Sequence, residues 1–126
     1  MTPTAWQRIE GSAIGVAALA TTIALGLPWW MPFALFLAFD LSALGYLANP
    51  RVGAFFYNLV HNYAGPVLLG VVGLVLLSPA VAVVALSWAF HVGVDRALGY
   101  GLKHGDHFQH THLGWIGKGR AEAEPH

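Results

Sequence analysis

Apolar residues fall into four long runs, each near the roughly 20 residues that carry a helix across a bilayer. The first covers residues 9–27 and is rich in Ala and Gly (GSAIGVAALATTIALGL). Pro28 breaks it, and Trp29 and Trp30 supply an interfacial aromatic anchor. The second covers residues 32–47 and ends at Asn49-Pro50-Arg51. The third covers residues 52–77, where Gly65-Pro66 predicts a kink. Ser78-Pro79 predicts a tight turn before the fourth run, residues 80–102. The remainder, KHGDHFQHTHLGWIGKGRAEAEPH, is polar and aromatic. The pattern predicts an all-α, four-transmembrane-helix bundle with a short cytoplasmic C-terminal segment. Residues 1–117 would form the bundle and its cap, and residues 118–126 a flexible tail. A 3+1 arrangement, with part of residues 52–64 re-entrant or interfacial, stays open.

Charge gives the orientation. Arg8, Arg51, Lys103, Lys118 and Arg120 fall on one side of a four-span arrangement, and the two opposite loops carry none. The positive-inside rule then puts both termini and the Arg51 loop in the cytoplasm, in a multi-pass protein of the cytoplasmic membrane. Composition agrees. Of 126 residues, 56% are hydrophobic and 10% charged, against about 25% charged in a soluble domain. Mean hydropathy is +0.59, so the lipid bilayer is the expected solvent. Zero net charge gives no field for nucleic acid. Cysteine is absent, which excludes disulfides, thiolate metal sites and cysteine nucleophiles. No cleavable signal peptide is expected, since the first run has no clear A-x-A cleavage site and leads into further spans.

Against this background the ionisable residues stand out. Between Gly11 and Val94 the only formally charged residues are Asp40 and Arg51. Such groups in hydrocarbon need a partner, a metal or water, and so mark a candidate site. At about 1.5 Å per residue, Asp40 lies about 10–12 Å above the cytoplasmic end of its helix, His61 about 13 Å, His91 about 16 Å and Asp95 about 10 Å. Three helices thus aim acids and imidazoles at one layer. His91 and Asp95 share a stripe at i, i+4, as do Tyr57 and His61. Glu10 sits at the foot of the first run. Arg96 points away from Asp95 and is expected to pair with an acid or to snorkel. Of the tail histidines His104, His107, His110 and His112, the last is the one expected to fold back over the bundle, pinned by Phe108, Leu113 and Trp115.

Imidazoles and carboxylates without thiols suit a divalent transition metal such as zinc, iron or manganese. The candidate ligands are Glu10, Asp40, His61, His91, Asp95 and His112, with Asp40, Asp95 and Glu10 the candidate catalytic carboxylates. They suffice for one site with an open position or for a binuclear one. Zinc would activate water for a membrane hydrolase. Iron would serve an oxidoreductase acting on an acyl chain or quinone, and the pattern does not choose between them. Lys103, Tyr57 and the Gly99-Tyr100-Gly101 backbone are candidates to receive a lipid-soluble substrate or a headgroup phosphate. Two other classes compete: a small proton- or cation-coupled transporter or channel, and an accessory subunit of a membrane complex. A single membrane histidine is commonly a helix–helix hydrogen-bond partner, and Lys103 can simply snorkel. Gly11-x-x-x-Gly15 and Gly70-x-x-Gly73 read as close-packing faces, which also offer a surface for a homodimer.

Several stretches carry a family resemblance: Glu10-Gly11, D-L-S-x-x-G-Y (Asp40 to Tyr46), Y-N-L-V-H-N-Y (Tyr57 to Tyr63), H-V-G-V-D-R-A-L-G-Y-G-L-K (His91 to Lys103) and F-x-x-T-H-L-G (Phe108 to Gly114). On these the chain resembles a family of small bacterial integral membrane proteins catalogued only as a domain of unknown function. The resemblance implies a four-helix membrane protein and brings no activity or cofactor. It singles out Glu10, Asp40, His61, His91, Asp95 and His112, and leaves His104, His107 and His110 outside. Related sequences usually carry proline before the aspartate. This chain has Phe39 there, so the resemblance does not itself imply a helix break.

Overall fold

The computed structural model describes residues 1–105 and 109–116. His107, Phe108 and the 118–126 tail lie outside the described residues. The chain is mostly helical. Three helices start with the same device, a capping side chain followed by proline. Thr2 Oγ1 accepts from Ala5 N–H (3.1 Å) to open α1, Pro3–Ala24. Asn49 Oδ1 accepts from Val52 N–H (2.8 Å) to open α3, Pro50–Val60. Ser78 Oγ accepts from Val81 N–H (3.3 Å) to open α5, Pro79–Leu98. Each cap satisfies a donor the first turn leaves free, and proline at N1 gives up only an N–H with no intrahelical acceptor. α5 ends at Gly99, whose φ of 91° is the left-handed turn a helix stop favours.

The second run is not the continuous α-helix the sequence predicts. It makes one α turn, α2 (Met31–Ala34), then a ten-residue 3₁₀ helix, Ala38–Leu47. Ala38, Leu41, Leu44 and Leu47 are all exposed, every third residue. A three-residue turn eclipses side chains at i and i+3, so these four form one outward apolar edge. Phe39, Asp40, Ser42, Ala43, Gly45 and Tyr46 turn inward and are half-buried. Ser42 Oγ donates to the Phe39 carbonyl three residues back (3.0 Å), matching that register.

The third run breaks one turn before the predicted point. α3 stops at Val60, and α4 (Ala64–Val75) begins after an irregular His61–Tyr63 junction. Proline acts on the residue four before it: Pro66 lacks the N–H that Asn62 C=O would accept, and its ring crowds that carbonyl. The disruption therefore falls at Asn62. Asn62 Oδ1 accepts from Ala64 N–H (2.8 Å), the first donor of the new helix.

α5 is the central element. α1 crosses it where Gly11 and Gly15 meet Gly93, as the small-residue pattern predicts. α4 and α2 pack along α5, and the 3₁₀ helix packs on α3, where Gly53 leaves room for the Tyr46 ring. The segment after Gly99 folds back. Lys103 bridges Thr111 in antiparallel fashion, and β1 (His110–Thr111) pairs with β2 (Gly114–Trp115). Two helical stretches, Pro50–Val75 and Pro79–Leu98, are long and apolar enough to cross a membrane.

Candidate metal centre

His61 sits where α3 ends, and that ending fixes its ring. The ring stacks on Tyr57 one turn earlier (centroids 3.7 Å apart, 4° between planes). Its Nδ1–H donates to the Tyr57 carbonyl (2.9 Å), with Ser42 Oγ as a second acceptor at 3.3 Å. A carbonyl only accepts, so a proton is on Nδ1, and in the neutral ring Nε2 then presents its lone pair inward. This is the outer-shell arrangement that orients metal-binding imidazoles. The junction behind the ring is held from α5: Arg96 Nη2 donates to His61 C=O (3.0 Å), and Trp88 Nε1 donates to Val60 C=O.

His91 is fully buried in α5, walled by Phe36 (4.3 Å) and Phe39 (5.6 Å). Its Nδ1 has no partner among the described residues, so on that side aromatic packing rather than a hydrogen bond braces the ring. Asp95 follows one turn on. Asp40 arrives from the 3₁₀ helix.

The four donors converge. His61 Nε2 lies 2.9 Å from His91 Nε2, 3.3 Å from Asp40 Oδ1 and 3.4 Å from Asp95 Oδ2. His91 Nε2 lies 3.2 Å from Asp40 Oδ1 and 3.1 Å from Asp95 Oδ2. One ligand atom from each residue can be chosen so that all lie within 4.8 Å of one another. A tetrahedral ion with bonds near 2.0–2.1 Å has donor–donor edges of about 3.3 Å, and the five distances bracket that value. Charge leads the same way. Two Nε2–H groups facing each other at 2.9 Å would collide, so at most one proton fits between the imidazoles. The two carboxylates then lack a full counter-charge there, which a dication would supply. The arrangement can hold a metal ion.

Two sequence candidates lie outside this cluster. Glu10 is exposed on α1. Both ring nitrogens of His112 are in use: Nδ1 accepts from Leu102 N–H (2.7 Å), and Nε2–H donates to Gln7 Oε1 (2.7 Å). Burial, with nearby Arg96, holds its pKa below 6.5, in keeping with a neutral ring. His112 therefore fastens the folded-back segment to α1 and has no nitrogen left for a metal.

Lys103 is not at an open interface. It is 5% exposed, and its ammonium lies over the Tyr57 ring, 4.9 Å from the centroid. Burial pushes its pKa down to about 8, while Asp95 and Asp40 pull upward. Tyr57 is equally buried, between Lys103 and His61. Arg96 is buried rather than snorkelling, and among the described residues it pairs with no acid. Its bonds to the carbonyls of His61 and Tyr100 and its place over the Tyr63 ring answer the unpaired carbonyl left by the broken helix.

Asn58 also takes part, tying α3 to the segment after α5. Its amide donates to Lys103 C=O (2.8 Å) and accepts from Lys103 N–H (2.6 Å), copying a β-strand neighbour. In the sequence its i, i+4 spacing from Asn62 in Y-N-L-V-H-N-Y is the signal that marks it.

A family model described as Domain of unknown function (DUF4260) matches residues 4–116, and the chain belongs to that family. No curated protein and no solved structure matches it.

Proposed function

We propose that this member of the DUF4260 family is an integral membrane metalloprotein that binds one divalent transition-metal ion, zinc or iron, and uses it on a lipid-soluble substrate. The observation that carries this reading is the convergence of Asp40, His61, His91 and Asp95 from three separate elements onto one point. A single ion is favoured over a binuclear centre because Glu10 and His112 stand outside the cluster.

The membrane part rests on length and exposure. α1 has 22 residues and α5 has 20, about 33 and 30 Å of helix. The 17 residues Met31–Leu47 look short. Their 3₁₀ portion rises about 2.0 Å per residue, however, so the stretch reaches about 30 Å, the hydrocarbon thickness. With Pro50–Val75 this makes four spans. Leu37, Leu47 and Leu77 expose three-quarters or more of their surface, which lipid would cover. Lys103 and the Arg51 loop then lie on the cytoplasmic side with both termini.

Elemental analysis of detergent-purified protein tests this directly. The expected result is about one equivalent of zinc or iron, lost in His61→Ala and His91→Ala. Metal-free wild-type protein that also fails to bind added zinc would overturn it.

A further inference from the structure

The four donors are not equivalent. The side chains of His91, His61 and Asp95 are 0%, 2% and 11% exposed, whereas that of Asp40 is 43% exposed. The first three are braced. His61 is fixed by the Tyr57 carbonyl and by Arg96 behind its own carbonyl. His91 is wedged against Phe36, and Asp95 shares its helix stripe. Among the described residues, the Asp40 carboxylate has polar contacts only to the two imidazoles, within 3.3 Å. Its backbone is a 3₁₀ helix, whose hydrogen-bond geometry is poorer than that of the α-helix opposite.

Resting on the metal-binding reading above, we propose that His61, His91 and Asp95 form the permanent metal-holding set, and that Asp40 is its exchangeable fourth ligand. Four protein donors fill a tetrahedral ion, and structural sites are closed in that way; a catalytic ion keeps one position for an outside ligand. Release of the Asp40 carboxylate frees that position at the most exposed of the four donors. An exogenous oxygen or nitrogen donor takes it up, with no bond made or broken except to the metal. The freed carboxylate stays beside the incoming ligand, where it can accept a proton from it.

The test is cobalt(II) titration of the detergent-purified full chain, read by visible absorption, with helicity followed by circular dichroism. Asp40→Ala should still bind one cobalt, with affinity reduced by no more than about 10–100-fold, what losing a partner behind a ligand costs. His91→Ala and Asp95→Ala should lose stoichiometric binding. Added azide should shift the wild-type cobalt spectrum by displacing Asp40, and should bind Asp40→Ala more tightly. Loss of cobalt in Asp40→Ala as complete as in His91→Ala, with helicity kept, would overturn the exchangeable role and leave the metal site standing. Unchanged affinity and azide response in Asp40→Ala would also overturn it. If that variant does not fold, the wild-type azide titration decides, since no spectral shift refutes exchange. A wild-type chain that binds no cobalt would overturn both readings.

Discussion

Arg96 donates through Nη2 to the carbonyl oxygen of His61, 3.0 Å away, so a cation on α5 caps the helix that delivers a cluster imidazole. The break in the third run leaves that carbonyl without an N–H four residues on. A buried acceptor in this position needs a donor from elsewhere, and a charged donor serves best. The guanidinium thereby ties backbone geometry at His61 to the helix that bears His91 and Asp95.

Replacing it should uncouple the two. Arg96→Met keeps much of the bulk and leaves the His61 carbonyl unpaired. We expect a loss of about 1–3 kcal/mol in stability, read by denaturant unfolding in detergent, together with weaker metal binding. Unchanged unfolding would mean the capping bond contributes nothing.

Asn58 predicts a local effect. Asn58→Leu removes both bonds to the Lys103 backbone. At about 0.5–1.5 kcal/mol each, the folded-back segment should open more often. Amide exchange at Lys103 should accelerate while central α5 amides keep their protection. Equal acceleration throughout would show a global effect instead.

Glycines at the contacts of α5 with α1 and with α4 should differ in sign. A Cβ on Gly93 would stand 2.7 Å from Gly11 O and Gly15 N, so Gly93→Ala must force α1 away, at about 1–3 kcal/mol. At Gly70 the nearest atom is 3.9 Å away, so Gly70→Ala should be neutral or stabilising by about 0.4–1 kcal/mol. Thermal melts of the two variants check the pair, and a shared sign would count against this crossing.

His112 predicts a pH effect. Its folded pKa lies below the unfolded 6.5, so the unfolded segment binds the proton more readily. The contribution is therefore full above pH 6.5 and drains away as pH falls through the folded pKa. Protonation also converts Nδ1 from acceptor to donor, opposing Leu102 N–H. Intrinsic-rate-corrected exchange at Leu102 should be faster at about pH 5.5 than at about pH 7.5, and His112→Leu should abolish the difference.

The cluster was legible because a charge in an apolar run has few alternative explanations, and because helical rise converts position into depth. Asp40, His61, His91 and Asp95 followed from that arithmetic. The i, i+4 pairing of Tyr57 and His61 likewise anticipated their stacking. What escaped were features decided by backbone hydrogen bonds rather than by hydropathy. The 3₁₀ winding of Ala38–Leu47 leaves the apolar run unchanged, and only the spacing of Leu41, Leu44 and Leu47 hints at it. Gly65-Pro66 predicts a disruption, yet the break appears at Asn62, where the missing bond would have ended. His112 looked like a ligand because an imidazole's role depends on who occupies its two nitrogens. Gln7, more than a hundred positions away, supplies that answer.

The winding of the second run also acts as a screw thread. Three residues per turn advance 120° each, against 100° in an α-helix. Rewound to the α pitch from the Leu47 end, the seven steps back to Asp40 would accumulate about 140° of rotation and shorten the stretch by about 3.5 Å. The carboxylate would swing away from the two imidazoles while every other donor kept its place. Pitch alone decides whether the cluster has four members or three.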